Sequence, residues 1–461
     1  MNPNDPPKES MAIPQLRTIP RAEHSISRKN ISNGALRVLY RLDDAGYQAF
    51  LVGGAVRDLL LGGHPKDFDI ATNATPEEVR GLFRNCRLIG RRFRLAHVVF
   101  GREIVEVATF CGTVDDGSGD RHLVDGRLVR DNVYGSIEED ALRRDFTVNA
   151  LYYDIADFSV RDYVGGMRDL ETKTLRLIGD PESRYREDPV RMLRAARLAA
   201  KLDFTIAPEA AEPFSRLGPL LRDAPPARLF DESLKLFLSG YGLASFHALQ
   251  TYGLLEHVFA ATARSLKSPH ADRFRVLLER TLASTDERVR SEKPVTPAFL
   301  FAAMLWEPVR AAAEESIAGG LDASAAWAAA SARIMSEQAE RVAIPRRFAG
   351  SIEEIWMLQP RFEQRVKKRV FRLLAHPRFR AAYDFLLLRS TESPALAELA
   401  EWWTQAQAMD HQALAQLFTP TPAPTPESLG ETPTGAKRKR PRRRRRKPKA
   451  ETGDAGSAPS E

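Results

Sequence analysis

The stretch LVGGAVRDLLLGGHPKDFDIAT, residues 51–72, sets two glycines after an apolar run and two aspartates, one residue apart, a short way downstream. Residues 47–52 read as a buried strand, Gly53 and Gly54 as a tight turn that lets the backbone approach a ligand, and residues 55–61 as a short helix. Backbone N–H groups at such a turn point toward an anion. A second turn at residues 64–66 leads to a strand carrying Asp67 and Asp69, and a period of two puts both carboxylates on one face. Two hard oxygen ligands side by side suit Mg2+. Taken singly, Gly-Gly is a tight turn and Asp-x-Asp a solvated pair. Their order, with Arg57-Asp58 between them and all within about twenty residues, forms a layout suited to phosphate and metal.

Three more blocks follow in the chain: EVATF at 106–110, EEDALRRDFTVNALYYD at 138–154 and RYREDPVRMLRAARLAAKL at 184–202. Over roughly residues 20–240 the set resembles the nucleotidyltransferase superfamily, in the class that holds bacterial poly(A) polymerases and CCA-adding tRNA nucleotidyltransferases. The resemblance implies template-independent transfer of a nucleotide to an RNA 3'-hydroxyl, with in-line attack on the α-phosphorus of ATP and two Mg2+ ions. It makes Asp67 and Asp69 the metal ligands, with Glu106 as a third carboxylate, and assigns the triphosphate to Gly53, Gly54 and Arg57. Arg143, Arg144, Asp145 and Asn149 match the element that binds ribose and phosphates; Asp188 and Arg191, with Arg194 one turn on, match the side chains that read the incoming base. Structural readings stand beside these: Arg57 pairing with Asp58 on a helix surface, Glu106 facing solvent at a strand edge, and Asp188 with Pro189 opening a helix.

Periodicity organises the rest. Residues 1–27 read as a flexible polar arm, 28–178 as a mixed α/β catalytic head, 179–240 as a helical neck and 241–415 as a helical body. The fold class is therefore α+β, with strand signals ending near residue 175. Helices are expected at 32–45, stopped by Gly46, and after Thr75-Pro76-Glu77-Glu78, a capping box. Strands are expected at 87–89, 97–100 and 104–110, and the Gly-containing polar run 112–130 reads as a loop, either mobile beside the site or a plain surface insertion. Residues 416–461 read as a disordered tail. The net charge of +7 resides there: residues 437–449 carry eleven Lys and Arg and no acid, so the remainder sums to about −4. Such a run suits sequence-independent grip on RNA phosphate. Two cysteines give neither a disulfide framework nor a zinc site, no run of 18 apolar residues exists, and residues 1–10 lack a signal-peptide layout, so a reduced, cytoplasmic setting is expected.

The catalytic blocks alone do not separate the two branches of the family. The basic link at 82–101, with Gly90-Arg91-Arg92-Phe93-Arg94-Leu95-Ala96, resembles the poly(A) polymerase form, as do residues 341–348 and 376–389, whose arginines and aromatics suit single-stranded RNA or simple helix packing. One departure is Cys111, where the family commonly has Arg after EVATF. A monomer working on RNA 3' ends, near RNA-decay proteins, is the expectation. Its rivals are a CCA-adding enzyme, told apart by use of CTP and a tRNA, and a non-catalytic RNA-binding protein, which has no need of an acidic metal pair.

Overall fold

A mixed eight-stranded sheet forms the head in the computed structural model, which describes residues 16–90, 94–112, 120–124 and 127–418. The strands are β1 (Arg17–Ile19), β2 (Ala49–Val52), β3 (Asp69–Thr72), β4 (Cys86–Ile89), β5 (Leu95–Phe100), β6 (Glu103–Thr109), β7 (Asp120–Val124), β8 (Arg127–Asn132), β9 (Leu151–Asp154) and β10 (Val160–Asp162). The sheet runs β1-β10-β9-β2-β3-β6-β5-β4, antiparallel throughout except for the parallel pair β3 and β6. The remaining strands, β7 and β8, pair with each other.

Seven helices of the head and neck matter for the site: α1 (Asn33–Asp44), α2 (Gly54–Leu60), α3 (Pro76–Leu82), α4 (Ile137–Arg143), α5 (Gly166–Glu171), α6 (Pro181–Glu187) and α7 (Val190–Leu202). Local chemistry sets their ends. Ser32 caps α1 by accepting from the Ala35 N–H at 3.1 Å, and Gly46, at φ +84°, takes the left-handed turn that stops it. Thr75 and Glu78 form the capping box of α3, with Pro76 at its first position.

Both faces of the sheet are covered near its middle, which is why AFLV in β2 is wholly buried rather than alternating. Leu51, Ile70, Ala96, Val98, Val105 and Val107 pack with Val38, Leu39 and Leu42 of α1 in the main core. Residues of the other parity, Phe50, Val52, Ala71 and Tyr152, meet Ile137 and Ala141 of α4 in a smaller cluster. The catalytic candidates lie along the open edge of this second face.

Four expectations need correction. Asp67 is not on the strand: β3 begins at Asp69, and Asp67 lies in the approach, with buried Phe68 between the two exposed acids. The arm is partly structural, because Arg17–Ile19 pairs with β10 and buries Ile19. The 112–130 run is not loop throughout, since β7 and β8 form a hairpin whose backbone groups satisfy one another. Strands also persist past residue 175, where Thr174–Leu175 pairs in parallel with Thr205–Ile206. Residues 1–15, 91–93, 113–119, 125–126 and 419–461, which include most of the expected arm, Arg91 and Arg92 of the basic link and the basic tail, lie outside the described residues.

From Pro226–Phe237 to Pro394–Ala408 the chain is helical. Residues 411–461 form a separate unit, whose described part contains the helix His411–Gln416. Among the described residues no helix is long and apolar enough to cross a membrane. The body's large aromatics are mostly core: Phe379, Tyr383 and Phe385 are buried, and the buried indoles of Trp356 and Trp403 donate to the carbonyls of Ala302 and Phe362, each at 2.9 Å. Of the two uses open to the aromatics in 376–389, helix packing is the one found.

Candidate active site

Strand register assembles the site. Tyr152 of β9 pairs with Val52 of β2, Val52 with Asp69 of β3, Asp69 with Glu106 of β6, and Glu106 with His97 of β5. Directly paired residues share a face, so these five form one row across the sheet. Asp69 keeps a solvent-facing surface, yet burial of its carboxylate and the neighbouring Glu106 charge push its pKa up to about 6, with Asp67 adding and Arg144 opposing. Asp67, Asp69 and Glu106 are hard oxygen donors, and the repulsion felt at Asp69, only partly offset by Arg144, fits a divalent cation such as Mg2+. As they stand, no three His, Cys, Asp or Glu side chains among the described residues are gathered closely enough to hold an ion. Glu106 Oε1 lies 3.2 Å from His97 Nε2 without hydrogen-bond alignment.

Gly53 closes the row. At φ +71° and ψ −140° it turns β2 into α2, and a Cβ there would sit 3.7 Å from Arg144 Nη1 and 3.8 Å from Asp69 Oδ2. The backbone geometry, more than the space, requires glycine. Gly53→Ala is expected to cost about 1–2 kcal/mol of stability, seen as an earlier denaturant midpoint at unchanged slope.

Arg144 sits at the end of α4 in a buried knot. It donates to Asp140 Oδ2 at 3.0 and 3.2 Å and to the Tyr152 hydroxyl at 2.8 Å, and Tyr152 donates to the same Asp140 oxygen at 2.6 Å. Burial works to lower its pKa, but Tyr152 and Asp140 outweigh that and raise it. It is a fixed cation close to Asp69. Arg143 turns instead to the Gly112 carbonyl at 2.5 Å. Cys111 donates its backbone N–H to Asp140 at 3.2 Å, and burial with the Asp140 charge pushes its thiol up to about 11, so it stays neutral beside the knot.

The other candidates form a chain of contacts linking head and neck. Arg57 is buried, not on the surface; it donates to Asp58 at 2.8 Å and to Asn149 Oδ1 at 2.5 Å. Asn149 donates to Asp145 Oδ1 at 3.3 Å, and Asp145 Oδ2 accepts from Arg194 of α7 at 2.6 and 2.8 Å. Lys201, two turns further along α7, donates to Asp58 at 3.0 Å. Burial pushes the Asp145 pKa up, but the Arg194 guanidinium prevails and holds it below the usual carboxylate range. The Arg57 fork is thus engaged by protein groups, and Arg194 reaches the head rather than lying free along a base-reading face.

Asp188 lies between α6 and α7, not within the helix, and accepts the Val190 N–H at 3.2 Å. Both of its oxygens are taken by Arg228, at 2.9 and 2.6 Å, and that bond and charge overcome burial to hold its pKa low. Arg191 donates to Glu187 at 2.7 Å and to the Arg184 carbonyl at 2.8 Å. Sequence reasoning missed Arg228, Lys201, Asp140, Tyr152 and His97. Asp140 and Tyr152 were visible as polar members of the 138–154 block, whereas Arg228 lies in no quoted motif.

A Gly-Gly turn beside paired strand acids, with a helical neck clamped onto the head, defines a nucleotidyltransferase. Three family profiles match: Poly A polymerase head domain over residues 49–176, Probable RNA and SrmB- binding site of polymerase A over 203–266, and Polymerase A arginine-rich C-terminus over 319–447. The chain is 53% identical over 407 residues to Poly(A) polymerase I of Escherichia coli O6:H1 strain CFT073, covering 87% of this chain and 88% of that one. A CCA-adding enzyme of Lactobacillus johnsonii is 36% identical over 228 residues, 50% of this chain and 56% of that one. In fold it is similar to the Thermotoga maritima CCA-adding enzyme solved with tRNA, with a TM-score of 0.57, 20% identity, and 87% of each chain covered. The chain belongs to the bacterial poly(A) polymerase I family.

Proposed function

We propose that the protein is a template-independent poly(A) polymerase that adds AMP from ATP to RNA 3' ends. The observation that carries this is the register of Asp69 with Glu106 beside the Gly53 turn, in a chain whose similarity to Poly(A) polymerase I runs through head, neck and body. Two Mg2+ ions held by Asp67, Asp69 and Glu106 would supply charge stabilisation for the attacking 3'-oxygen and the departing pyrophosphate. The backbone N–H groups of Gly53 and Gly54 face the triphosphate, and Arg144 offers a preoriented positive charge next to it. Arg57, Asn149 and Asp145 hold one another and orient the ribose-binding backbone. Asp188, steered by Arg228, presents carboxylate oxygens toward the base edge, with Arg191 beside it. The reading also assigns the protein RNA as a partner, contact with RNA-decay proteins, a monomeric state and the cytoplasm.

The test is incubation of the protein with Mg2+, a generic single-stranded RNA and a tRNA lacking its 3' end, each nucleoside triphosphate being given separately. Long extension of the generic RNA with ATP alone is expected; addition confined to the tRNA and needing CTP would overturn the assignment. Base choice has its own check. Arg228→Ala frees Asp188, and the ATP-over-CTP ratio of kcat/KM is expected to fall about tenfold, or about 1.4 kcal/mol. An unmoved ratio would separate Asp188 from base reading.

A further inference from the structure

We propose that a cleft in the body, remote from the head in sequence, holds single-stranded RNA upstream of the reacting 3' end; this rests on the RNA-adenylating reading above. The cleft has a volume of about 410 Å³, within the about 300–1,000 Å³ typical of ligand sites, and its lining includes Trp327, Pro360, Arg361, Arg369, Arg372 and His376. Among the described residues no carboxylate lines it. Lys367 and Lys368 stand on the same short helix, Lys367–Leu374, which buries Val370 and Leu373 and turns its cations outward.

The cations of the cleft lack the acid partners that other arginines of the body have. Arg378 pairs with Glu354 at 3.1 Å, Arg380 with Asp384 at 3.0 Å and Arg389 with Glu392 at 3.1 Å. By contrast Arg361, Lys367, Lys368 and Arg372 have no carboxylate partner among the described residues, and Arg369 donates only to the neutral Gln364 amide at 2.6 Å. Grouped like charges without acids repel one another, and an anionic polymer relieves that repulsion. Trp327 supplies the second element. It is half-buried and stacks on buried Trp306 at 5.4 Å with 24° between the rings, while the Arg389 guanidinium lies 4.3 Å from the Trp306 ring centre. A pinned indole lining a cationic cleft is a platform for a nucleobase, with phosphates on the arginines, and base stacking tolerates any sequence. An acidic protein segment would use the charges but leave the indole idle.

The test uses the full chain with Arg369→Ala/Arg372→Ala, both exposed and off the buried side of their helix, and separately Arg361→Gln on the preceding helix. Binding of a labelled fifteen-residue oligoadenylate is measured without ATP across a salt series, and the KM for RNA is measured in AMP addition. The double variant is expected to bind about tenfold more weakly, with the log–log salt slope reduced by about 1.4, or about 0.7 for each lost phosphate contact on a single strand, and with a raised KM for RNA. Arg361→Gln is expected to lose about half that slope change. Unchanged affinity and slope in both variants overturn the proposal, which is also the outcome if an acidic protein segment is the occupant. Should the parent protein show the full slope but add no AMP, the adenylation reading falls and the cleft stands. AMP addition with variants that bind RNA like the parent removes the cleft alone.

Discussion

Replacing Asp69 by Asn is expected to lower AMP addition about 1,000-fold or more, the loss of roughly 4 kcal/mol of transition-state stabilisation, while the protein melts no earlier than the parent. The two halves of this expectation have one origin. Asp69 sits beside Glu106, and its pKa is raised to about 6, so its ionised form is disfavoured in the folded state. For an acid whose folded pKa lies above its unfolded one, protonation favours folding as pH falls through about 6 toward 4; at pH 7 the charge works against folding. Asn removes that charge and the chemistry with it. Mg2+ should accordingly raise the melting temperature of the parent at pH 7 and leave the Asn variant unmoved, and RNA retention should survive in both. An Asn variant that still extends RNA, or one that loses RNA binding in step with activity, would sink the metal assignment.

The second large effect is expected at the head–neck contact. Arg194→Ala strands the Asp145 carboxylate, which keeps only the Phe146 N–H at 2.9 Å and Asn149 at 3.3 Å. Breaking a fully buried pair costs about 3–5 kcal/mol; here Arg194 is 32% and Asp145 14% exposed, so about 2–3 kcal/mol is expected. Calorimetry should show a fall of several degrees. Adding Asp145→Asn to that background should cost much less than it does alone, giving a coupling energy above about 1 kcal/mol. Simple additivity would mean that the pair is a surface contact. The KM for ATP should rise in the single variants, since Asp145 and Asn149 lie in the ribose-binding block.

What the sequence made legible was mostly local. Gly53, the Thr75–Glu78 box and the stop at Gly46 each depend on neighbours within a few residues, and each stands where expected. Asp69 and Glu106 were paired by motif order; their parallel register, across a gap of 37 positions, is a tertiary fact that no local periodicity carries. The start of β3 was misjudged by two residues because buried Phe68 continues the alternating pattern without being in the strand. The engagement of Arg57, Asp188 and Arg194 was hidden for another reason: a motif names a residue's type, while its partner, Asn149, Arg228 or Asp145, is fixed only when helices dock. The hairpin at β7 and β8 shows the reverse, a glycine-containing run that reads as loop because its pairing is supplied by its own return strand.

The two hooks of α7, Arg194 and Lys201, stand seven positions apart and engage Asp145 and Asp58, two acids on different elements of the head. Seven residues make two turns, so the interval works as a ruler between fixed anchor points. Gain or loss of a single residue between them would rotate one hook by about 100° and withdraw it. Substitution is tolerable along that span wherever the side chain faces outward, but a change in length is not.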